Sequence, residues 1–325
     1  MRTRVYKVQL LSAAFLHRAD GAERAVLRAT AFDAAARYWF RASCLGWKNH
    51  ILHRLEGEFL GSTEHGQRVS LRVSPPYVGR ERRDLLPQVR FDSASAALLP
   101  PLEARIAWRI EGLVHREERE AAVGAALALA IHLGGVGQRS RRGAGAWQLL
   151  EDGGLGHVLS GTDDVDQFAQ ALGRAVGVAV RRIRKQVRAV SGIAPDPLRD
   201  DTAPPYPAFS SCSRLVVAPL GTSDETEARR RIMERLRPFR HPVFGLPHRT
   251  RRRRVDGRHA SPLHVSLGRL SDGGLVAIYT VLLSEPILSA AGAQPGSNAI
   301  YRFLDHERTN HGAVEVNAPA LADTA

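Results

Sequence analysis

The stretch that decides the fold lies at residues 134–145 and reads GGVGQRSRRGAG. It joins an alanine- and leucine-rich segment, expected to be a helix over about 116–133, to a strand expected at 147–150. Glycines let backbone N–H groups approach an anion, and arginine side chains supply paired donors to phosphate. The loop lacks the Gly-Lys-Ser/Thr of a Walker loop, and because it follows a helix it does not fit a dinucleotide fingerprint. We therefore predict a phosphate clamp whose three arginines lie on the surface, and a mobile basic surface loop is the alternative.

A second basic segment lies upstream. Arg37, Arg41 and Lys48 stand at helical spacing and predict a cationic stripe that could follow a phosphate backbone, with a solvated helix face as the alternative. Thr30 is the expected N-cap of this helix, and Asp33 suits its positive end. The opposite, apolar face is predicted from the spacing of Ala36, Trp39, Phe40, Ser43 and Trp47. The aromatic residues at 38–40 are expected mainly in the core, and base stacking is the alternative.

Alternating and helical patterns continue along the whole chain. Strands are expected at 6–10, 69–73, 89–91, 105–110, 147–150, 214–219, 264–270 and 275–283. Further helices are expected at 116–133, 165–190 and 224–236. This order predicts an α+β protein with antiparallel sheets. We expect an N-terminal domain over 1–160, a helical segment and proline-rich linker over 161–212, and a C-terminal domain over 213–325.

The charge of the chain favours a polyanionic partner. The sequence has 46 basic and 33 acidic residues, a net charge of +13, and only three of the basic residues are lysines. Clustered cations release counterions when they neutralise phosphates, although codon bias in a GC-rich genome is a second explanation for so many arginines. The densest cationic run, at 249–254, is expected to order on RNA, and a solvated loop or an acidic neighbouring protein is the alternative.

The two cysteines, Cys44 and Cys212, predict neither a disulfide framework nor a zinc site and fit a cytoplasmic protein. The longest uncharged apolar stretch is too short to span a bilayer, so no membrane insertion is expected.

Few residues qualify as catalytic or metal-binding candidates. Asp33 is expected to serve the helix terminus, and the acidic cluster at 163–166 is expected to begin a helix. His50, His53 and Glu56 have helical spacing but no complete ligand motif, which favours an exposed polar face. We predict no catalytic residue, no metal and no cofactor, and hence a protein that is not an enzyme.

Several motifs, taken in order, resemble those of the RAMP superfamily of CRISPR-Cas proteins, most closely the first-subunit family of type III-B (Cmr) effector complexes. Residues 37–42 are similar to the family's Arg-Tyr/Phe-Trp-Phe/Trp-Arg-Ala helix, and residues 141–145 to its Arg-Arg-Gly-x-Gly loop. Residues 244–247 and 260–264 are similar to its second half. The chain departs from the pattern at Asp33-Ala34, where the family usually has a basic residue followed by glycine.

The resemblance implies two ferredoxin-like (RRM-like) domains with helical insertions. It implies an RNA-binding subunit of an antiviral ribonucleoprotein that holds the 3′ part of the guide RNA and helps capture target RNA beside other RAMP subunits. A RAMP-type ribonuclease that processes guide RNA and a purely structural subunit are the alternatives. The residues expected to contact RNA are Arg28, Thr30, Arg37, Arg41, Lys48, Gly135, Gly137, Gln138, Arg139, Ser140, Arg141, Arg142, Gly143, Gly145, Arg251, Arg252, Arg253, Arg254 and His264.

Overall fold

The computed structural model describes residues 3–316 except 19–20, 65, 67, 85–93, 113, 154, 160–161, 197–202, 240, 245–260 and 292–298. The strand expected at 89–91 and the RNA contacts expected at Arg251, Arg252, Arg253 and Arg254 lie outside the described residues.

The chain alternates between strands and helices in both halves. The strands are β1 (Arg4–Leu10), β2 (His17–Arg18), β3 (Gly21–Val26), β4 (Val69–Ser74), β5 (Val78–Gly79), β6 (Arg82–Asp84), β7 (Ala94–Ala96), β8 (Leu102–Ile110), β9 (Trp147–Glu151), β10 (Arg214–Pro219), β11 (Leu263–Arg269), β12 (Leu275–Val281) and β13 (Val314–Glu315). The helices are α1 (Ala29–Ser43), α2 (Asn49–Leu60), α3 (Arg116–Leu133), α4 (Val165–Ser191), α5 (Glu225–Leu236), α6 (Glu285–Ala291) and α7 (Ala299–His311).

The N-terminal sheet has the order β4-β8-β1-β9, and every neighbouring pair is antiparallel. Tyr6, Val8 and Leu10 of β1 point into the core while Lys7 and Gln9 alternate with them, which confirms the expected half-buried strand. Helices α1 and α2 connect β1 to β4, and α3 connects β8 to β9.

The C-terminal sheet has the order β11-β12-β10-β13 and is also antiparallel. The segment Asp272-Gly273-Gly274 lies in the turn between β11 and β12, where Gly273 takes a φ of 90° that favours glycine. The short strand β13 pairs with Val216 and Val217 of β10 and completes the sheet. The mixed α+β class with antiparallel sheets is therefore confirmed.

Helices α1, α3 and α4 form a layer between the two sheets. One face of β10 and β12, including Leu215 and Ile278, belongs to the same core cluster as these helices. The other face, including Val216 and Tyr279, packs against α5 and α7. Because α3 is covered on both sides, nearly all its residues from Ala122 onward are buried. This explains why its sequence is apolar around the whole circumference.

The first helix differs from its prediction at both ends. Its N-cap is Arg28 and not Thr30, and no side chain caps it. It ends at Ser43 and does not continue to Trp47, because the Cys44 N–H turns back to the carbonyl of Arg41 and Gly46 takes a φ of 89°. Lys48 is the N-cap residue of α2, so it does not continue a stripe along α1.

Cys44 and Cys212 are buried as free thiols. Within the described residues, no helix is long and apolar enough to cross a membrane.

Candidate nucleic-acid interface

A cleft of about 580 Å³ opens where the N-terminal end of α1, the segment at 15–17 and residues 134–145 meet. We call residues 134–145 the glycine loop and this space the loop cleft. Eight of the residues expected from the sequence line it: Arg28, Thr30, Gly135, Gly137, Gln138, Ser140, Arg141 and His264. Residues from four distant parts of the sequence therefore share one concave surface.

The glycine loop crosses over itself. The Val136 N–H donates to the carbonyl of Gly145 at 2.9 Å, and the Gly145 N–H donates to Ala13 at 2.9 Å. Gly145 has a φ of 64°, and a Cβ there would lie 2.1 Å from the carbonyl oxygen of Val136. Only glycine fits this crossing. Gly143 and Gly145 are buried, and their N–H groups are used within the protein, so their role in the fold is to close the loop.

The loop is also fixed to both halves of the chain. The Gln138 N–H donates to Phe15 at 2.9 Å, and the Gly143 N–H donates to Val265 at 3.0 Å. The Ser266 hydroxyl donates to the carbonyl of Gly134 at 2.7 Å. These bonds hold the wall of the loop cleft against segment 13–15 on one side and β11 on the other.

The three arginines of the loop are not equivalent. Arg139 is exposed on the loop. Arg141 donates to the carbonyl of Ser261 and lies over the Tyr38 ring, 5.1 Å from its centroid. Arg142 donates to the carbonyl of Phe244 at 2.9 Å, and burial, together with Arg139 and Arg141, lowers its pKa to about 10. The predicted surface position is therefore wrong for Arg142, whereas Arg141 is partly exposed where it lines the cleft. Long-range bonds draw both side chains toward the C-terminal half.

An aromatic wall lies beneath Arg141. The Tyr38 hydroxyl and the Nε2 atom of His264 are 2.8 Å apart, and the rings of Trp39 and His264 are 5.2 Å apart. Burial, followed by the charges of Arg141 and Arg142, holds the pKa of His264 well below its usual value. The imidazole is therefore neutral near pH 7. Trp39 is almost fully buried, which confirms its predicted place in the core. Both Tyr38 and Trp39 line the cleft.

The opposite wall is the start of α1. Arg28 is exposed and its guanidinium donates to the carbonyl of His17 at 2.6 Å. The His17 ring also lines the cleft and contacts the Ala96 carbonyl at 3.0 Å and the Ser95 hydroxyl at 2.9 Å. The first turn of α1 carries no acidic residue, because the helix begins at Ala29 and Asp33 is its fifth residue, where it accepts from Arg37. The expected role of Asp33 at the helix terminus is therefore wrong. The positive end of α1 is directed at the cleft without a neutralising carboxylate.

Arg37 and Arg41 lie elsewhere. Arg37 donates to Asp33 at 2.9 Å and to the carbonyl of Gly61 at 2.8 Å, and both arginines donate to Glu56 at 3.2 and 2.5 Å respectively. Burial lowers the pKa of Arg37, but its bonds to Asp33 and Glu56 outweigh this and raise it. Glu56 is buried, so the exposed polar face expected for it is wrong, because it neutralises two cations of α1.

Other candidate groups have structural partners. His50 and His53 are exposed, and the described residues contain no group of three potential metal ligands. Asp164 is the N-cap of α4 and accepts from the Gln167 N–H at 2.7 Å, which confirms the expected helix start. His132 is buried and its Nε2 atom contacts the carbonyl of His157 at 2.7 Å.

The sequence analysis missed the segment that supplies Phe15, Leu16 and His17 to the cleft. No local spacing marks these residues, because their position depends on the pairing of Phe15 with Gln138, 123 positions away. An apolar run ending in a histidine is common in strands of any function.

Comparison with known proteins agrees with this fold. Residues 9–148 match the model of the RAMP superfamily, so the resemblance read from the motifs is confirmed for the part of the chain that holds α1, α3 and the glycine loop. No curated protein matches the sequence.

Solved structures extend the likeness of fold to nearly the whole chain. The chain is similar to Cmr1 from Pyrococcus furiosus in its apo form, with 17% identity, a TM-score of 0.61, and coverage of 97% of this chain and 99% of that one. It is also similar to a chain of the type III-B Cmr-beta complex bound to cognate target RNA, with 9% identity, a TM-score of 0.59, and coverage of 86% and 94%. A chain of the same complex bound to target RNA and AMPPnP in the presence of ssDNA gives 10% identity, a TM-score of 0.56, and coverage of 93% and 98%.

Proposed function

We propose that this protein is a non-catalytic, RNA-binding RAMP subunit of a cytoplasmic type III-B CRISPR ribonucleoprotein. In this role it holds the 3′ part of the guide RNA and helps to capture complementary target RNA beside other RAMP subunits. The observation that carries the proposal is the loop cleft, in which an uncapped helix N-terminus, exposed polar groups of the glycine loop and an aromatic wall face one space. The shared fold with Cmr1 and with a chain of an RNA-bound Cmr complex supports the assembly.

We also propose that the two halves are ferredoxin-like domains, with boundaries near residues 160 and 213. In each half the four main strands, numbered along the chain, have the spatial order 2-3-1-4. Helices follow the first and the third of these strands. A β-α-β-β-α-β order with an antiparallel sheet is the pattern of that fold.

In the loop cleft, the positive end of α1 and Arg28 would attract a phosphate. Arg139 is exposed on the glycine loop between two residues that line the cleft and would add a further positive charge. Gln138 and Ser140 offer neutral hydrogen-bonding groups. Tyr38 is half-buried under Arg141 and the neutral His264 is buried beside it, with ring centroids 4.9 Å apart, so the two rings support the wall of the cleft instead of stacking on a base. Arg141 and Arg142 act mainly by holding the loop in place.

The test uses the two exposed arginines of this site. Replacing Arg28 and Arg139 with alanine should weaken binding of a 20-nucleotide single-stranded RNA by several-fold, while the free energy of unfolding changes by less than about 0.5 kcal/mol. The matched control replaces two exposed arginines of the C-terminal half, Arg237 and Arg302, and removes the same charge. Equal losses in both variants would mean that the cleft has no special role.

The position on the guide needs the assembled complex. A photoreactive uridine placed at the 3′ end of the guide should crosslink to this subunit, and one at the 5′ end should not. Crosslinking only from the 5′ end would refute the proposed orientation.

Two histidines in the loop cleft make the ribonuclease alternative testable. The structure brings His17 and His264 into the loop cleft, and a metal-independent ribonuclease uses histidines as general acid and base. Both rings are engaged by protein partners, and His264 is buried and neutral, so we favour binding. Labelled RNA incubated with the protein should remain intact with or without magnesium. Cleavage that disappears in a His264→Ala variant would favour the enzyme.

A further inference from the structure

Helix α4 has an unusual charge distribution that the loop cleft does not use. Residues 167–191 contain six basic residues and no acidic one. Arg184 is buried and donates to the carbonyls of Ser43 and Phe209, so it serves the fold. Arg174, Arg181 and Lys185 are exposed. In the part of the chain that the structure describes, no ion pair involves these three residues.

The three exposed cations form a straight row, which we call the α4 ridge. Arg181 follows Arg174 by seven residues and Lys185 follows Arg181 by four. At about 100° per residue, the three side chains point in directions within about 40° of one another around the helix axis. They span about 16 Å along that axis. Arg182 and Arg188 flank the row and are partly exposed. The apolar side of α4 packs on α3 and the C-terminal sheet, so only the cationic side is open to a partner.

We propose that the α4 ridge is a second RNA contact, which binds the phosphate backbone of a strand that also reaches the loop cleft. This inference rests on the proposed RNA-binding function and extends it to a separate surface. A row of cations without acids fits a polyanion, because each added contact releases counterions from the nucleic acid.

A protein partner fits the ridge less well. Protein interfaces have an apolar centre surrounded by a polar rim. The large apolar residues that are exposed in the described structure are Val5, Val78 and Val114, and none of them is on α4. The ridge therefore offers charge without the buried apolar area that a stable protein contact needs.

The two surfaces are close enough for one strand to reach both. Arg184, on the same helix as the ridge, contacts Ser43 at the C-terminal end of α1, whereas the α1 residues that line the loop cleft lie between Thr30 and Trp39. These residues are about 6 to 20 Å from Ser43 along the helix axis. At roughly 3.4 Å per stacked nucleotide, about two to six nucleotides cover this distance.

The experiment measures how salt affects the binding of a 20-nucleotide single-stranded RNA. Arg174→Gln, Arg181→Gln and Lys185→Gln are combined in one full-length variant, which lowers the net charge from +13 to +10. Each lost phosphate contact removes about 0.7 from the slope of log K against log salt, so the slope should fall in magnitude by about 2. The same relation gives a loss of affinity of up to about 50-fold at 0.15 M salt.

The matched control removes three exposed arginines that lie outside α4 and, in the described structure, form no ion pair: Arg105, Arg237 and Arg302. It has the same net charge of +10 and should keep the wild-type slope. A ridge variant with an unchanged slope, or a control with the same loss, would overturn the α4 contact. A ridge variant that binds RNA normally but no longer copurifies with the assembled complex would assign the ridge to a protein neighbour instead. If the wild-type protein binds no RNA, the proposed function itself is wrong.

Discussion

Glu56 offers a direct test of whether the cations of α1 belong to the fold or to an RNA surface. Its carboxylate is buried and accepts from Arg37 at 3.2 Å and Arg41 at 2.5 Å. Hydrogen bonds to charged groups contribute about 1.5–3 kcal/mol each. When Glu56 loses its charge, Arg37 keeps its bonds to Asp33 and to two backbone carbonyls. Arg41 is about one-third exposed and can bind water instead. We therefore expect a loss of about half of the combined free energy of the two hydrogen bonds to Glu56. Glu56→Gln is therefore expected to destabilise the protein by about 2 kcal/mol.

Urea unfolding at pH 7 measures this loss, and a thermal melt should show a fall of about 4 °C. Glu58→Gln is the matched control on the same helix. The Glu58 carboxylate is partly exposed and lies 3.7 Å from the exposed Arg54, and an i,i+4 pair of this kind contributes about 0.3–0.5 kcal/mol. RNA binding should be unchanged in both variants. Unchanged stability with tighter RNA binding in Glu56→Gln would refute our interpretation, because freed arginines would then be contacting RNA.

Three further substitutions test the core, the glycine loop and the response to pH. Gly145→Ala should lower the free energy of unfolding by more than about 2 kcal/mol in urea and weaken RNA binding, because the added Cβ would meet the Val136 carbonyl. Gly66→Ala is the control: φ is also positive there but the space around it is open, so the loss should be only about 1 kcal/mol. Trp39→Ala should cost about 3–5 kcal/mol in the same assay, and a loss below about 1 kcal/mol would show that it is not a core residue. Burial lowers the pKa of His157 from 6.5 to about 4, so the unfolded chain binds a proton more readily between these values. The free energy of unfolding should therefore fall as the pH is lowered from 6.5 towards 4, and His157 accounts for at most about 3 kcal/mol of this fall. In urea unfolding at several pH values, the fall should be smaller for His157→Gln than for the wild-type protein.

Much of the fold could be predicted because its patterns are local. The period of two in β1 and the acidic start and glycine end of α3 placed these elements to within a few residues. α2 was missed although Leu52, Leu55 and Phe59 have helical spacing, because Trp47 was assigned to the preceding helix. β13 could not be predicted from its own two residues, since it is defined only by pairing with β10.

The site was predictable in its motifs but not in its contacts. The glycine loop and the start of α1 were found, and both line the loop cleft. The ion pairs of Arg37 and Arg41 could not be predicted, because their acceptor Glu56 lies on a neighbouring helix and spacing alone does not reveal it. The aromatic wall was missed for the same reason, since Tyr38 and His264 are 226 positions apart.

The dependence of the cleft on distant residues also explains why a motif in the first half does not define the site by itself. The superfamily match covers residues 9–148, yet the loop within it is held by β11 through Val265 and Ser266. The neighbouring Ser261 accepts from Arg141. A buried polar group that loses its partner costs free energy, so without β11 the loop would rearrange to satisfy these groups. The geometry that we assign to RNA binding is therefore a property of both halves together, and the C-terminal half contributes to it through the shape that it gives the glycine loop.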